Sequence, residues 1–486
     1  MEKTLGKKWV YGLTATFLLL NSFLIVKQFF WLSLLPVVIA VIGMAFYSLD
    51  KLLYLTVFLT PLSISVEELD LGVSMNLPTE PLFFGIMLLF FLKLMMDDGF
   101  DTAFLRHPLT LMIGLQLAWM LMTSVSSSMP LVSLKHLLVR MWSVTALYFV
   151  MSRLFTSEQK LSRFLWLYLI PLAVVILFTT YVHWTRGFSK TGSVNAMYPF
   201  IKEHTSYGAI IGLYIPASFA LAFLRKSRMD KRAFALFIFL IITTGLVLSY
   251  TRAAWVSVAA SLGVMVLLLL RIRAWAFWLL TVAVAGGILL NLNPIIDRLS
   301  TNNQDSSDDL GEHVESISNI STDASNLERI NRWNSALKMF EERPVVGFGP
   351  GTYQFQYAPY QNPRQKTIIS TNNGDVGNAH SEYIGPLAEQ GLPGMLLVFL
   401  FLFILSRTAV RVVYRSRSPS ERLLATALFM GLVSYFTHGL LNNFLDMDKA
   451  AVPIWGFSAA LVMMDLGRIR WSDDDHSDQS PSASST

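Results

Sequence analysis

The sequence predicts an all-α, polytopic integral membrane protein with about 12–14 transmembrane helices and one large hydrophilic loop, and three observations carry that expectation. The 486 residues are 53% hydrophobic and only 15% charged, with a mean hydropathy of +0.49, whereas soluble globular chains are about one-quarter charged. The polar residues are gathered into short basic connectors, one long segment and an acidic tail. Between them lie uncharged apolar runs such as Phe234 to Val247 and Met395 to Leu405. Helices are the spanning form such runs can take, because each backbone N–H and C=O finds its partner within the segment.

Taken in order, spans are predicted at 9–26, 29–47, 51–66, 79–96, 109–123, 134–151, 163–181, 204–223, 233–249, 253–270, 274–290, 386–406, 421–439 and 450–466. They group into N-terminal helices (1–200), central helices (201–290), a large loop (291–385), C-terminal helices (386–466) and a disordered acidic tail (467–486). The first run follows a basic start, Lys3, Lys7 and Lys8, as a signal peptide would. Further spans follow at once and no small-x-small site precedes Lys27, so it is read as a retained helix. Trp9, Trp31, Trp184, Trp275 and Trp471 lie near span ends, where an aromatic belt sits.

With the N-terminus inside, alternation collects the basic connectors on one side: Arg225 to Arg232, Arg271 and Arg273, Arg407 to Arg422, and Arg468 with Arg470. That is the bias of the positive-inside rule, and it explains the formal charge of +5 without any nucleic-acid partner. The absence of cysteine removes disulfides, thiolate metal ligands and a cysteine nucleophile together. The same parity exports 291–385. Within it, 301–324 is rich in Ser, Asn and Asp without Lys or Arg and reads as flexible. A helix follows, opened by a Ser325/Glu328 capping box, presenting Arg329, Trp333, Ala336 and Phe340 on one face and ending at Pro344. Gly347, Gly349 and Gly351 around Pro350 then permit turns closed to branched residues.

Polar groups at a membrane boundary are costly unless paired, solvated or functional. Arg252, in the short outer connector Ser249 to Arg252, opposes the charge bias and suits an anionic ligand, or snorkels to lipid phosphate. Arg329 and Arg332 offer planar forks matched to phosphate oxygens, though solvated surface arginines are common. His380 stands where the loop re-enters the bilayer and accepts a proton near neutral pH, or anchors the interface. His204, His438 and the pair Asp446/Asp448 are weaker candidates for the same vestibule. No spacing specifies a metal site.

His380-Ser381, nine residues, Gly391, two residues and Gly394 resembles the signature of the O-antigen ligase and polysaccharide polymerase superfamily. Arg329 to Trp333, followed by the Pro344-Val-Val-Gly-Phe-Gly-Pro-Gly-Thr-Tyr353 turn, is similar to the family's second landmark. Ser249 to Val256, with Arg252 at the head of a span, resembles the third, although Val256 stands where ligases often carry Leu. The match spans roughly 205–440.

The resemblance implies a metal-independent, inverting glycosyltransferase of the bacterial inner membrane with a periplasmic loop and no cofactor. The donor would be an undecaprenyl-pyrophosphate-linked glycan, and the acceptor a lipid A core sugar for a ligase or another lipid-linked chain for a polymerase. Arg252 and Arg329 would hold the pyrophosphate and His380 would take the acceptor's proton, with Arg332 and His204 binding substrate. Membrane lipids and polysaccharide assembly proteins are the other partners expected. The absence of a GxxxxGK[ST] loop agrees with a donor that carries its own activated bond. Two other classes remain open: a lipid-linked oligosaccharide transporter and a non-catalytic assembly protein.

Overall fold

The computed structural model describes residues 2–29, 31–66, 75–96, 100–224, 228–273, 275, 324–363, 366 and 377–472. The described chain is helical apart from one antiparallel pair of two-residue strands, β1 (Ile64–Ser65) and β2 (Asn76–Leu77). It divides into two compact units, 1–55 and 56–486. The first holds α1 (Glu2–Val26), α2 (Leu35–Tyr47) and the start of α3 (Leu49–Leu59). Leu13, Leu19 and Val26 on α1 are exposed, the arrangement a helix bathed in lipid can tolerate.

The second unit contains α4 (Thr79–Met96), α5 (Pro108–Val125), α6 (Pro130–Leu154), α7 (Glu158–Thr185), α8 (His204–Ala222), α9 (Met229–Leu248), α10 (Arg252–Leu269), α11 (Ala324–Glu342), α12 (Ile384–Arg415), α13 (Pro419–His438) and α14 (Asp448–Asp465). Their starts are written locally. Pro108, Pro130 and Pro419 occupy first-turn positions, where a missing N–H costs nothing. Ser157 and Ser418 cap α7 and α13 by accepting from Lys160 N and Glu421 N.

Thirteen of the predicted spans fall on or overlap these helices, and 274–290, apart from Trp275, lies outside the described residues. Among the described residues, α4 to α10 and α12 are the eight helices long and apolar enough to cross a membrane. The chain is therefore an all-α polytopic membrane protein. Every residue of α14 is buried, against α6, α8, α12 and α13. A helix enclosed by protein on all sides has no lipid face to satisfy, so it carries Asp448, Lys449 and Asp465 at its ends without breaking the pattern.

The two ends of this unit differ in chemistry. At one, Arg411 and Arg415 of α12 and His107 before α5 converge on Asp465, and Tyr414 donates to the Ile272 carbonyl at 2.9 Å. At the other, the loop carrying α11 folds onto the start of α12. On α11 the expected face runs through Arg329, Trp333 and Phe340, each half-buried, and Ala336, which is buried; Glu328, Ile330, Asn331, Arg332, Ser335 and Met339 are buried as well. The helix also starts at Ala324, ahead of the expected Ser325 cap, and Glu328 accepts from Arg332 Nε at 2.8 Å.

Candidate active site

The first turns of α12 are broken at Gly391, which has φ 69° and ψ −171°. Leu392 N leaves the helix ladder and donates to the Pro344 carbonyl at 2.9 Å. In return, Phe348 N and Gly349 N donate to the carbonyls of Ala388 and Glu389 at 3.1 and 2.8 Å. A β-carbon on Gly391 would lie 2.2 Å from the Val345 oxygen, and one on Gly347 would lie 2.3 Å from the Glu389 carbonyl carbon. Only glycine fits such an approach at positive φ. The glycine-rich turn and the glycine of the His380 segment are thus two halves of one backbone contact. Ser128 clamps the turn from outside, donating through both N and Oγ to the Phe348 carbonyl at 2.9 Å.

That contact fixes the start of α12 and the residues just before it. His380 adopts φ 49°, and its N–H donates to Asn378 Oδ1 at 2.9 Å. Two residues on, Glu382 ties the segment to the connector between α13 and α14. Its Oε1 accepts from Tyr435 OH at 2.5 Å, Phe444 N at 2.8 Å and Leu445 N at 2.9 Å. Burial raises the Glu382 pKa, partly opposed by the Tyr435 hydrogen bond. The connector supplies Asn442, whose side chain bonds the His380 ring and whose amide meets His438 Nε2 at 2.9 Å.

Burial, then the charges of Arg332 and Arg329, push His380 down to about 3. The imidazole is therefore neutral at physiological pH, with a lone pair on one ring nitrogen. Arg332 is 4% exposed; beyond its bond to Glu328 it donates Nη1 to the Asn378 carbonyl at 3.0 Å and lies 5.2 Å over the Tyr357 ring. Arg329 is half-buried and donates Nε to the Leu441 carbonyl at 3.1 Å.

The other two predicted residues flank a neighbouring contact. Arg252 begins α10, and Thr251 beside it donates its hydroxyl to the His204 carbonyl at 2.9 Å. Glu203, next to His204, has its pKa raised by burial and opposed by a Thr205 hydrogen bond and the Arg329 charge, so the two contacts adjoin.

This arrangement has a counterpart among known families. Residues 235–399 match the family model described as O-Antigen ligase. That segment, about a third of the chain, is similar to the O-antigen ligase domain of the ligase and polymerase superfamily. No curated protein matches the chain. The matched segment contains Arg252, Arg329, Arg332, His380 and both glycine motifs, and His204 falls outside it.

Apart from Asp446, several residues at this end were not singled out by the sequence. A cleft of about 830 Å³ opens here, with His136, Glu203, Asn378, Glu389, Asp446 and Lys449 among its walls. Arg140 of α6 pairs with Asp446 at 2.6 Å, and His136, one turn earlier, stands 3.5 Å from the same carboxylate. Burial alone would raise Asp446, but Arg140 and His136 outweigh it and hold the carboxyl below its ordinary range. The signal for Arg140 was present, since a charge within a predicted span calls for a partner. Asn442 and Glu382 carried no such signal: each acts through backbone and ring contacts that spacing does not encode.

Proposed function

We propose that the protein transfers a glycan from an undecaprenyl-pyrophosphate-linked donor to a sugar hydroxyl at the periplasmic face of the bacterial inner membrane, as an O-antigen ligase does. The observation that carries this reading is the neutral His380 ring within the field of Arg329 and Arg332, inside the segment similar to the O-antigen ligase domain. The charge difference between the two ends of the bundle supports the sidedness, because the arginine-rich end belongs in the cytoplasm under the positive-inside rule.

The chemistry follows from charge. Arg329 and Arg252 hold the diphosphate and offset the negative charge that grows on it as the anomeric C–O bond breaks. The acceptor oxygen forms the new bond from the opposite face, inverting the anomeric centre, and its proton passes to His380. A base held near 3 is weak in the empty protein. Burial is the largest cause of that depression and the arginine field comes next, so a bound diphosphate, by offsetting the arginines, relieves the second part and strengthens His380 as a proton acceptor. The leaving group is the polyprenyl diphosphate, and no nucleotide or cofactor enters the balance.

The test is transfer by purified protein in proteoliposomes supplied with lipid-linked glycan and acceptor. Wild type is expected to transfer, and His380→Ala at equal abundance to fail. Wild-type rates from His380→Ala would remove the proposed base. Passage of donor across the bilayer without transfer would favour a transporter. One residue favours a second reading: Val256, in place of the Leu frequent in ligases, leaves room for a polymerase. In a deletion strain, loss of all attached chains indicates a ligase, and core bearing a single repeat indicates a polymerase.

A further inference from the structure

The cleft wall mixes Glu203, Glu389 and Asp446 with Lys202 and Lys449. At the edge formed by Asn378, the backbone carbonyl accepts from Arg332 behind it. Two of the carboxylates are fixed beside one imidazole, that of His136. Asp446 is held by Arg140 at 2.6 Å and stands 3.5 Å from His136 Nε2. Glu389 is fixed by Tyr353 N at 3.0 Å, a further bond from Gly351 N, and the nearby charge of His136. His136 itself lies against Gly351, where a β-carbon would come within 3.0 Å of its Nδ1. The last glycine of the turn thus leaves space for a ring supplied by α6, outside the matched segment.

Sugar hydroxyls suit this wall, because a fixed carboxylate is a strong acceptor for an O–H donor and an imidazole can accept or donate. Tyr198, Phe200 and Tyr353 add ring surface to the same cleft, suited to the apolar face of a pyranose. Lys202 and Lys449 also line it, and Lys449 is occupied by Asp448 and Ser63.

We infer that the wall formed by His136, Asp446 and Glu389 is a phosphate-free saccharide subsite that binds the acceptor sugar, with His136 bonding one of its hydroxyls. This rests on the glycan-transfer reading above and adds which side of the cleft takes which substrate. His136 is here a specificity residue, and the proton still goes to His380.

The chain contains no cysteine, so Gln354→Cys, on the cleft wall, gives a single labelling site in the full-length protein. The probes are the free core oligosaccharide released by mild acid from the host's lipopolysaccharide, and inorganic pyrophosphate. Oligosaccharide is expected to slow maleimide labelling at least about threefold, pyrophosphate to leave it unchanged, and His136→Gln to abolish the protection. In transfer assays, His136→Gln is expected to raise the acceptor KM roughly tenfold, the scale of one lost hydrogen bond to a bound substrate, with the donor KM unchanged. Absence of oligosaccharide protection, equal protection by pyrophosphate, or an unchanged acceptor KM in His136→Gln each overturns the subsite. These outcomes are separate from failure of the transfer reading, which His380→Ala reports. Wild-type membrane abundance of His136→Gln guards against a folding defect, and His136→Asn serves as the second variant.

Discussion

Arg140 and Asp446 are joined across 2.6 Å, although one projects from an apolar span and the other from the connector between α13 and α14. The pair anchors that connector, the segment that also presents Asn442 to His380. Removing one partner of a fully buried pair costs about 3–5 kcal/mol. Asp446 is 35% exposed, so solvent screens part of that loss and about 1–2 kcal/mol is expected for Arg140→Ala. Thermal unfolding in detergent measures it, and Arg140→Lys is expected to recover about half.

Gly391→Ala tests the backbone contact between the two glycine motifs. The substitution must hold φ near 69° and accommodate a β-carbon 2.2 Å from the Val345 oxygen. Strain of this kind costs about 1–3 kcal/mol per residue, and the approach itself forces the turn to shift. Loss of folded protein, or folded protein that no longer transfers glycan, is the expected outcome. Wild-type stability and activity together would show that the docking is dispensable.

These two positions also mark how far the sequence could be read. The apolar run 386–406 announced α12, but nothing local to Gly391 says that Val345 fills the space beside it. The resemblance brought both motifs into one family without saying that they touch. On α11, i, i+3 and i+4 spacing fixes which residues share a face and not which of them find a partner, so the burial of Glu328, Asn331 and Arg332 was not legible. Arg252, Arg329, Arg332 and His380 were legible as charges or proton acceptors at an apolar boundary. Asn442 is legible only once the α13–α14 connector is seen folded back over His380.

Asn442→Ala should show whether that ring contact matters. Its amide meets His438 Nε2 at 2.9 Å and its side chain bonds the His380 ring, which fixes the ring's orientation. Without Asn442 the ring can rotate or change tautomer. A fall in kcat of about 10- to 100-fold is expected, within the usual contribution of a positioned acid or base, with the donor KM within about twofold of wild type. A change confined to KM would mean that Asn442 contacts substrate instead.

The His380 environment sets a pH dependence whose sign is fixed. Its folded pKa is about 3 against an ordinary value of 6.5, so the unfolded chain binds the proton more readily than the folded one. Stability from this group is complete above about 6.5 and declines as pH falls toward 3. Other buried groups titrate over the same interval, so the informative quantity is a difference. His380→Asn is expected to lose less melting temperature between pH 7 and 4.5, as working values, than wild type does. Equal losses would mean that His380 is not depressed.

The two loop arginines should separate in their response to lysine. Arg332 is 4% exposed, with Nε on Glu328 and Nη1 on the Asn378 carbonyl. Lysine has one nitrogen at the end of a flexible stem and cannot serve both partners in that geometry, so Glu328, itself buried, loses part of its compensation. Arg332→Lys should therefore reduce folded protein and activity together. Arg329 is half-buried, donates to the Leu441 carbonyl and reaches Glu203 and His380 with its field. If it grips a diphosphate with its fork, Arg329→Lys should leave membrane abundance near wild type and raise the donor KM about tenfold, the loss of roughly one charge-assisted hydrogen bond. Arg252→Lys, at the head of α10, is expected to follow Arg329→Lys. Were both lysine variants to work at the wild-type rate, positive charge alone would suffice at those positions, and bidentate recognition would be replaced by a point-charge role. Were Arg329→Lys instead to lower abundance as Arg332→Lys does, its principal work would be to hold Leu441 and the connector in place.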